Sequence, residues 1–464
     1  MTESQLATPD DRVPWKTVIA YGVPGTGAGY MYLLLGLYVM KFSTDVLLIA
    51  PVVMGLIFSA SRVWDAISDP LAGYLSDRTA LKFGRRRSWI LGSIVPIGGA
   101  FLMVFAPPDG LTEGQLIAWM AVAVIGFYSA MTLFFVPHMA LGAELSSNYH
   151  ERSRLFGIRH GFYTFGSLLS LISMQILINA EQVGAEEARA TARELAFVAI
   201  AAMAMLVLFA VPKLKENPAF QGRVKNNPFQ AFADVWKNVH ARLLIIVTFI
   251  ENIGSAAIGV LTLYVTQYVV GAPQWAPAVI AAYMIPSTFS VPMWIPLSRR
   301  FGKIRLWMFS MLLTGVSFGA MFAIPFYDTV TVRLGIIFVA AFFAGLAAGA
   351  GGTIGPSVQS DVIDYDEYRT GERKEGSYFA AWNFTYKSAM GVMLLLTGFV
   401  LQFAGFVPNE PQTMQVQLAM VSLYGLLPLV CYLIGAALFS RFKLDETAHR
   451  EIRAALDARS LGSE

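Results

Sequence analysis

Charge is scarce in this chain: Asp, Glu, Lys and Arg make up 14% of its 464 residues, against 56% hydrophobic residues. Soluble globular proteins carry about a quarter charged residues, so a soluble fold of this size is excluded. Lipid as the solvent removes the difficulty, and it demands spans of about 20 apolar residues closed on their own hydrogen bonds as helices. Cysteine is almost absent. Cys431 alone cannot form an internal disulfide, and the five histidines join no Cys/His cluster of metal-ligand spacing. His150-Glu151 is not a zinc motif, because Arg154 stands where a second histidine would be needed. Met1 to Pro14 is polar and mixed in charge, without the basic start, short apolar core and small-residue cleavage site of a signal peptide. The first span is therefore expected to direct insertion itself.

What the chain does have is long apolar runs. They predict an all-α membrane protein of about twelve transmembrane helices, near 16–41, 48–76, 88–107, 115–144, 156–179, 193–212, 242–270, 277–298, 305–325, 332–358, 378–404 and 414–440. With the N-terminus inside, 27 lysines and arginines fall in inside segments and four (Lys41, Arg189, Arg193 and Arg333) in outside loops. Cationic loops resist translocation, so both termini are expected to be cytoplasmic in a multi-pass cell-membrane protein. The basic clusters are topology signals first, which excludes nucleic acid as a partner. Arg62, Arg159 and Lys387 are the remaining cations, inside or at the margins of spans.

The polar stretch 213–241 divides the chain into a six-helix half at 1–212 and another at 242–440, followed by a cytoplasmic tail at 441–464. The halves echo each other. Asp77-Arg78 and Gly84 to Arg87 after span two resemble Arg299 to Lys303 after span eight, and Val136-Pro137 to Glu151-Arg152 resembles Gly355-Pro356 to Glu372-Arg373. Parallel repeats of this kind build carriers with a site near the bilayer midplane.

Span two reads Arg62-Val63-Trp64-Asp65-Ala66-Ile67-Ser68-Asp69-Pro70. Asp65 and Asp69 are four apart, so a helix sets both carboxylates on one face, one turn apart. Each charge at membrane depth costs on the order of 3 kcal/mol even on the lenient insertion scale, and the two repel. Na⁺, protonation, or Arg62 three residues away can each neutralise them. The bland alternative has both aspartates merely satisfying Arg62 and a helix terminus, which leaves one carboxylate unexplained. Glu144, Arg159, Glu251 and Lys387 are further intramembrane charges. Lys387 needs a carboxylate partner or an anionic substrate, Glu251 can pair or titrate, and Glu144 and Arg159 suit a gating salt bridge or a substrate contact. Tyr30, Tyr128, Tyr163, Trp382 and Tyr386 can stack on a sugar ring or simply pack. Tyr21 to Gly27 is rich in glycine but lacks the Lys-Ser/Thr of a phosphate loop; its glycines fit close helix contact or bending. No nucleophile–base pair or metal spacing supports an enzyme.

These residues resemble the glycoside-pentoside-hexuronide:cation symporter family, the melibiose permease type of the major facilitator superfamily, over nearly the whole chain. The resemblance rests on Arg62 to Pro70, on Asp361-Val362-Ile363-Asp364-Tyr365-Asp366-Glu367-Tyr368, on the Asp77 to Arg87 loop and on Gly405 to Asn409. It implies a major facilitator fold, a cation site at Asp65 and Asp69 with Thr132, and a substrate cavity bordered by Arg159 and Lys387. Melibiose permease carries an aspartate where this chain has Ala28-Gly29, and an acidic residue where it has Phe135. Na⁺ and H⁺ therefore both stand as coupling ions. The Arg62–Pro70 run and the Val136-Pro137 region also resemble the animal lysophospholipid/Na⁺ symporters.

The expected function is cation-coupled symport of a sugar, glycoside or hexuronide by a protein working as a monomer among membrane lipids, with no cofactor beyond the coupling ion. A lysophospholipid or other amphiphilic anion is the rival cargo, and a non-transporting sensor or scaffold the second rival. Arg62, Asp77, Arg78, Arg85, Glu144, Glu151, Arg152, Asp361 and Asp364 are the expected gating or salt-bridge residues.

Overall fold

A computed structural model describes residues 12–79, 81, 83–146, 149–216, 235–371, 375–444 and 446–461. The polar start at 1–11, the middle of the central loop at 217–234, and Glu372 and Arg373 of the second echo lie outside the described residues. The helices follow the apolar runs: α1 (Trp15–Val46), α2 (Pro51–Arg78), α3 (Arg85–Phe105), α4 (Glu113–Glu144), α5 (Tyr149–Val183) and α6 (Ala185–Lys213). Then come α7 (Val239–Val270), α8 (Pro273–Phe289 and Val291–Phe301), α9 (Lys303–Phe326), α10 (Val330–Thr370), α11 (Glu375–Ala404), α12 (Met414–Phe439) and α13 (Glu446–Leu461).

Ten of these are long and apolar enough to cross a bilayer, and α8 makes an eleventh if its two arms form one span. The arms meet at an angle of 51°, beside Pro292, which cannot donate a hydrogen bond back into the first arm. The remaining expected span is α2. At 28 residues it is long enough to cross, but Arg62, Asp65 and Asp69 make it too polar to pass on composition.

Helix starts and stops are locally encoded. Thr112 and Gln115 form a capping box at the head of α4. The Asn238 side chain accepts from the backbone N–H groups of His240 and Ala241 at the head of α7. Gly371, at φ 73°, ends α10 in the left-handed conformation that glycine adopts without penalty.

The chain divides into two compact units, Met1–Ile49 with Ala60–Lys225, and Ala50–Ser59 with Asn226–Glu464. The head of α2 thus groups with the second unit, whereas the sequence reading placed all of α2 in the first half. The reason is a close crossing with α11: a Cβ on Gly398 would come 2.6 Å from the Pro51 carbonyl oxygen, and one on Gly55 2.9 Å from that of Leu394. Small residues let helix backbones approach closely in a membrane, where packing replaces the hydrophobic drive.

Each unit repeats one packing scheme. In the first, α1 runs along α5, and α3 packs on α4 and α6; in the second, α7 runs along α11, and α9 packs on α10 and α12. Both α1 and α7 finish in a widened π-turn, at Phe42–Val46 and Val265–Val270.

The glycine-rich stretch Tyr21–Gly27 is helical apart from a break at Val23. Its neighbourhood holds the tightest contact of the first unit: a Cβ on Gly166 of α5 would sit 1.9 Å from the Thr26 carbonyl oxygen, and one on Gly29 2.2 Å from that of Tyr163. Backbone cannot yield as a side-chain tip can. Gly166→Ala is therefore expected to destabilise the protein by about 1–3 kcal/mol, the usual penalty of overpacking, read as a lower melting temperature of the purified protein. An unchanged melting temperature would mean that α1 and α5 part easily.

Candidate ion and substrate site

The arrangement around span two begins with helix geometry. Arg62, Asp65 and Asp69 share one face of α2 because they are three and four residues apart. The Arg62 Nη1 lies 3.1 Å from Asp65 Oδ2, and both side chains are 2% exposed. The same nitrogen donates to the Tyr32 hydroxyl at 3.3 Å, and the guanidinium carbon sits 3.5 Å from the centre of the Tyr128 ring. A desolvated guanidinium gains about 2 kcal/mol from such a ring. Arg62 is thus a fixed positive charge held by α1, α2 and α4, and its Nε and Nη2 are buried without a hydrogen-bond partner among the described residues.

Asp69 has a different neighbour. The Thr132 hydroxyl of α4 donates to its Oδ1 at 2.7 Å. Asp69 is half-buried, Thr132 buried. One turn up, the Trp64 indole donates to Ser129 Oγ at 2.8 Å, a second polar tie between α2 and α4. Asp65 thus meets the Arg62 guanidinium, and Asp69 accepts from the Thr132 hydroxyl. A carboxylate and a hydroxyl are the hard oxygen donors that suit an alkali cation or a proton.

An aromatic wall continues from Arg62. Tyr32 meets Tyr128 with ring centres 5.7 Å apart and Phe135 at 6.0 Å, and Phe135 meets Tyr163 at 6.3 Å. Of the tyrosines singled out from sequence, Tyr128 and Tyr163 belong to this wall. Tyr30 instead donates to Ser173 at 2.7 Å. Tyr32, two positions on and turned to the other side of the helix, takes the contact with Arg62. Arg159 on α5 is half-buried, with its Nε lacking a hydrogen-bond partner among the described residues and its charge directed at Tyr21 and His138.

In the second unit Lys387 is half-buried, well inside the apolar stretch Ser377–Ala404 of α11, and Tyr386 is 54% exposed. Trp382 is buried against Tyr378 and Phe379, with ring centres 5.6 Å and 5.9 Å away.

The expected gating residues resolve into local clamps. Arg85 reaches Glu144 at 2.6 Å and Arg86 reaches the same oxygen at 3.5 Å, fastening α3 to α4. Glu151 accepts from the Val13 N–H at 2.9 Å and pairs with Arg154 at 2.8 Å, while Arg152 donates to the Ser146 carbonyl at 2.6 Å. Arg78 lies over the Tyr74 ring, and the Asp77 side chain is outside the described residues. Asp361 binds Lys303 at 2.7 Å, and Asp364 takes the His449 Nε2 of α13 at 3.0 Å, with Arg453 at 3.7 Å.

Lys41 corrects the sequence reading, which assigned it to an outside loop. It is 1% exposed and pairs with Asp45 at 3.2 Å and with Glu181, which also accepts from the Tyr38 hydroxyl at 2.5 Å. Asp45 one turn on was a local signal for this pairing, whereas Glu181 is distant in sequence.

Comparison with known proteins concerns the chain as a whole. The family model described as MFS/sugar transport protein matches residues 20–446. The inner membrane symporter YicJ of Escherichia coli is 26% identical over 92% of this chain and 91% of its own length. The isoprimeverose transporter of Lactiplantibacillus pentosus is 26% identical over 94% of this chain and 90% of its own. Among solved structures, the nucleoside transporter NupG superposes with a TM-score of 0.64 at 14% identity, covering 91% of this chain and all of NupG; that likeness concerns the fold alone.

Proposed function

The chain belongs to the MFS/sugar transport protein family, and from that premise we propose that it is a secondary symporter drawing a sugar, glycoside or hexuronide across the cell membrane with a cation. The observation that carries the reading is the Thr132 hydroxyl donating to Asp69 beside the buried Arg62–Asp65 pair. Arg62 holds Asp65, and the Thr132 hydroxyl meets Asp69 at 2.7 Å, so the coupling cation, Na⁺ or H⁺, binds at Asp69 and Thr132 with Asp65 beside it. Relatives named as symporters and as an isoprimeverose transporter support a glycosidic cargo. Arg159 and Lys387 orient that cargo, with the aromatic wall from Tyr32 to Tyr163 stacking on a sugar ring. The two six-helix repeats alternate access by rocking, and the excess of inside cations, 27 to 4, keeps both termini cytoplasmic.

Thr132→Val keeps the shape of the side chain and removes the hydroxyl. A hydrogen bond to a charged group contributes about 1.5–3 kcal/mol, so the variant is expected to weaken coupling-ion affinity about tenfold or more, measured as the cation concentration for half-maximal uptake. An unchanged half-saturation would remove Thr132 from the site. The cargo class is tested by thermal shift of the purified protein with isoprimeverose, p-nitrophenyl glucuronide and a lysophosphatidylcholine. Stabilisation by either sugar derivative supports the reading. Stabilisation by the lysolipid alone overturns it in favour of an amphiphilic anion.

A further inference from the structure

The second unit contains a carboxylate that the coupling site on α2 does not use. Glu251 lies midway along α7, in the run Ile245-Ile246-Val247-Thr248-Phe249-Ile250-Glu251-Asn252-Ile253. It is 9% exposed, and among the described residues no salt bridge includes it. Gly435 of α12 makes room for it: a Cβ there would stand 3.3 Å from Glu251 Cγ. The Trp307 indole of α9 faces its carboxyl group. Trp307 is itself wedged against Phe439, with ring centres 4.8 Å apart. One turn along α7, Ser255 Oγ is hydrogen-bonded to the Tyr432 hydroxyl, so Glu251 and Ser255 present one polar edge to α12.

The titratable groups around it are few. Tyr432 of α12 acts on it, and Cys431 of α12 and Tyr283 of α8 act in turn on Tyr432. Lys387 follows Tyr386 in α11 but forms no salt bridge to Glu251. The α10 carboxylates Asp361 and Asp364 are engaged by Lys303 and His449, and α9 offers only the indole. A naked carboxylate at the middle of a span costs on the order of 3 kcal/mol or more, and one indole N–H does not supply a positive charge. Neutrality then requires a proton.

We propose that Glu251 is a second, proton-binding site of this transporter, loaded from water through the Tyr432–Ser255 pair and emptied during the transport cycle. The claim rests on the transport reading above, and it adds a proton to whatever cation Asp69 binds. The chemistry is a bare proton transfer: an O–H bond forms at the Glu251 carboxylate as one breaks in water, and the reverse occurs on release. Buried carboxylates in membrane spans are where proton relays are built.

The test has a readout that needs no cargo. Infrared difference spectra of the full-length protein between acid and alkaline media are expected to contain a protonated-carboxyl stretch that disappears in alkali and is missing from Glu251→Gln. In proteoliposomes loaded with isoprimeverose, an inward pH gradient of one unit at one proton per cargo supports about tenfold accumulation. Glu251→Gln is expected to lose the tenfold share carried by this proton while retaining isoprimeverose counterflow, which reports fold and cargo binding. Tyr432→Phe is expected to slow the pH response without removing the infrared band. An infrared band that persists unchanged in alkali would make Glu251 a permanently neutral structural group, and absence of the band in the wild type would make it ionised; either result overturns the proposal, even if Glu251→Gln fails to fold. Unimpaired accumulation by Asp69→Asn, with the Glu251 band still titrating, would count against the α2 site and leave this one standing.

Discussion

Asp69→Asn is expected to abolish accumulation driven by the cation that Asp69 binds, while leaving exchange of cargo between the two sides of the membrane intact. Asparagine matches aspartate in size and still accepts a hydrogen bond from Thr132, so the contact seen at 2.7 Å survives. What it loses is the negative charge that a cation or proton must meet. Without that ion, whose binding must differ between inward-open and outward-open states, its gradient has nothing to act on at α2. Accumulation should drop from about tenfold under a tenfold cation gradient to the level of the medium, since each factor of ten in a gradient is worth about 1.4 kcal/mol. Counterflow of preloaded cargo should stay within about threefold of wild type, because exchange needs cargo binding and rocking but no ion flux. Loss of both activities together would instead mark Asp69 as part of the cargo site or of the fold.

The second large effect is on stability. Arg62 and Asp65 are each 2% exposed and 3.1 Å apart. Breaking a buried pair by removing one partner costs about 3–5 kcal/mol, because the other charge stays buried. Arg62→Met should lower the yield and melting temperature of purified protein severely. Adding Asp65→Asn to it removes the carboxylate that faced Arg62, and the double variant is expected to recover part of the loss, giving a coupling energy of about 1–3 kcal/mol in a double-mutant cycle. Tyr128 stays as a neutral ring in both. If the single and double variants melt together, Arg62 and Asp65 do not act as a pair.

Much of this was legible in the sequence because the bilayer imposes a coarse rule that single residues cannot evade. Every span needs its apolar run, and even α2, diluted by Arg62, Asp65 and Asp69, stood out by length between two loops. The pairing of Arg62 with one aspartate was readable from three-residue spacing, but which aspartate was not, since Asp69 at spacing seven is also on that face. Thr132 entered only through resemblance to a family; a threonine in an apolar helix carries no signal of its own. Tyr30 and Tyr32 illustrate the limit for aromatics. Composition cannot say which tyrosine of a helix turns toward a guanidinium, and the structure chose Tyr32.

Long-range pairs were the least readable. Lys41 looked like a loop cation at a span end, and its true partners, Asp45 and Glu181, include one on α5. The clamps Arg85–Glu144 and Asp364–His449 join segments of one unit whose proximity follows only from the packing of helices. The head of α2 gave no hint of its allegiance to α11 either, because Gly55 and Gly398 acquire meaning only when set against each other.

The central claim is that a cation gradient drives glycoside uptake through Asp69 and Thr132. Its most direct test is uptake of isoprimeverose and p-nitrophenyl glucuronide by proteoliposomes holding the wild-type protein, with an inward Na⁺ gradient, an inward H⁺ gradient, or neither. The account predicts accumulation above the medium under at least one cation gradient, collapse when an ionophore dissipates it, and mere equilibration without it. Equilibration at the same final level under all three conditions would contradict it.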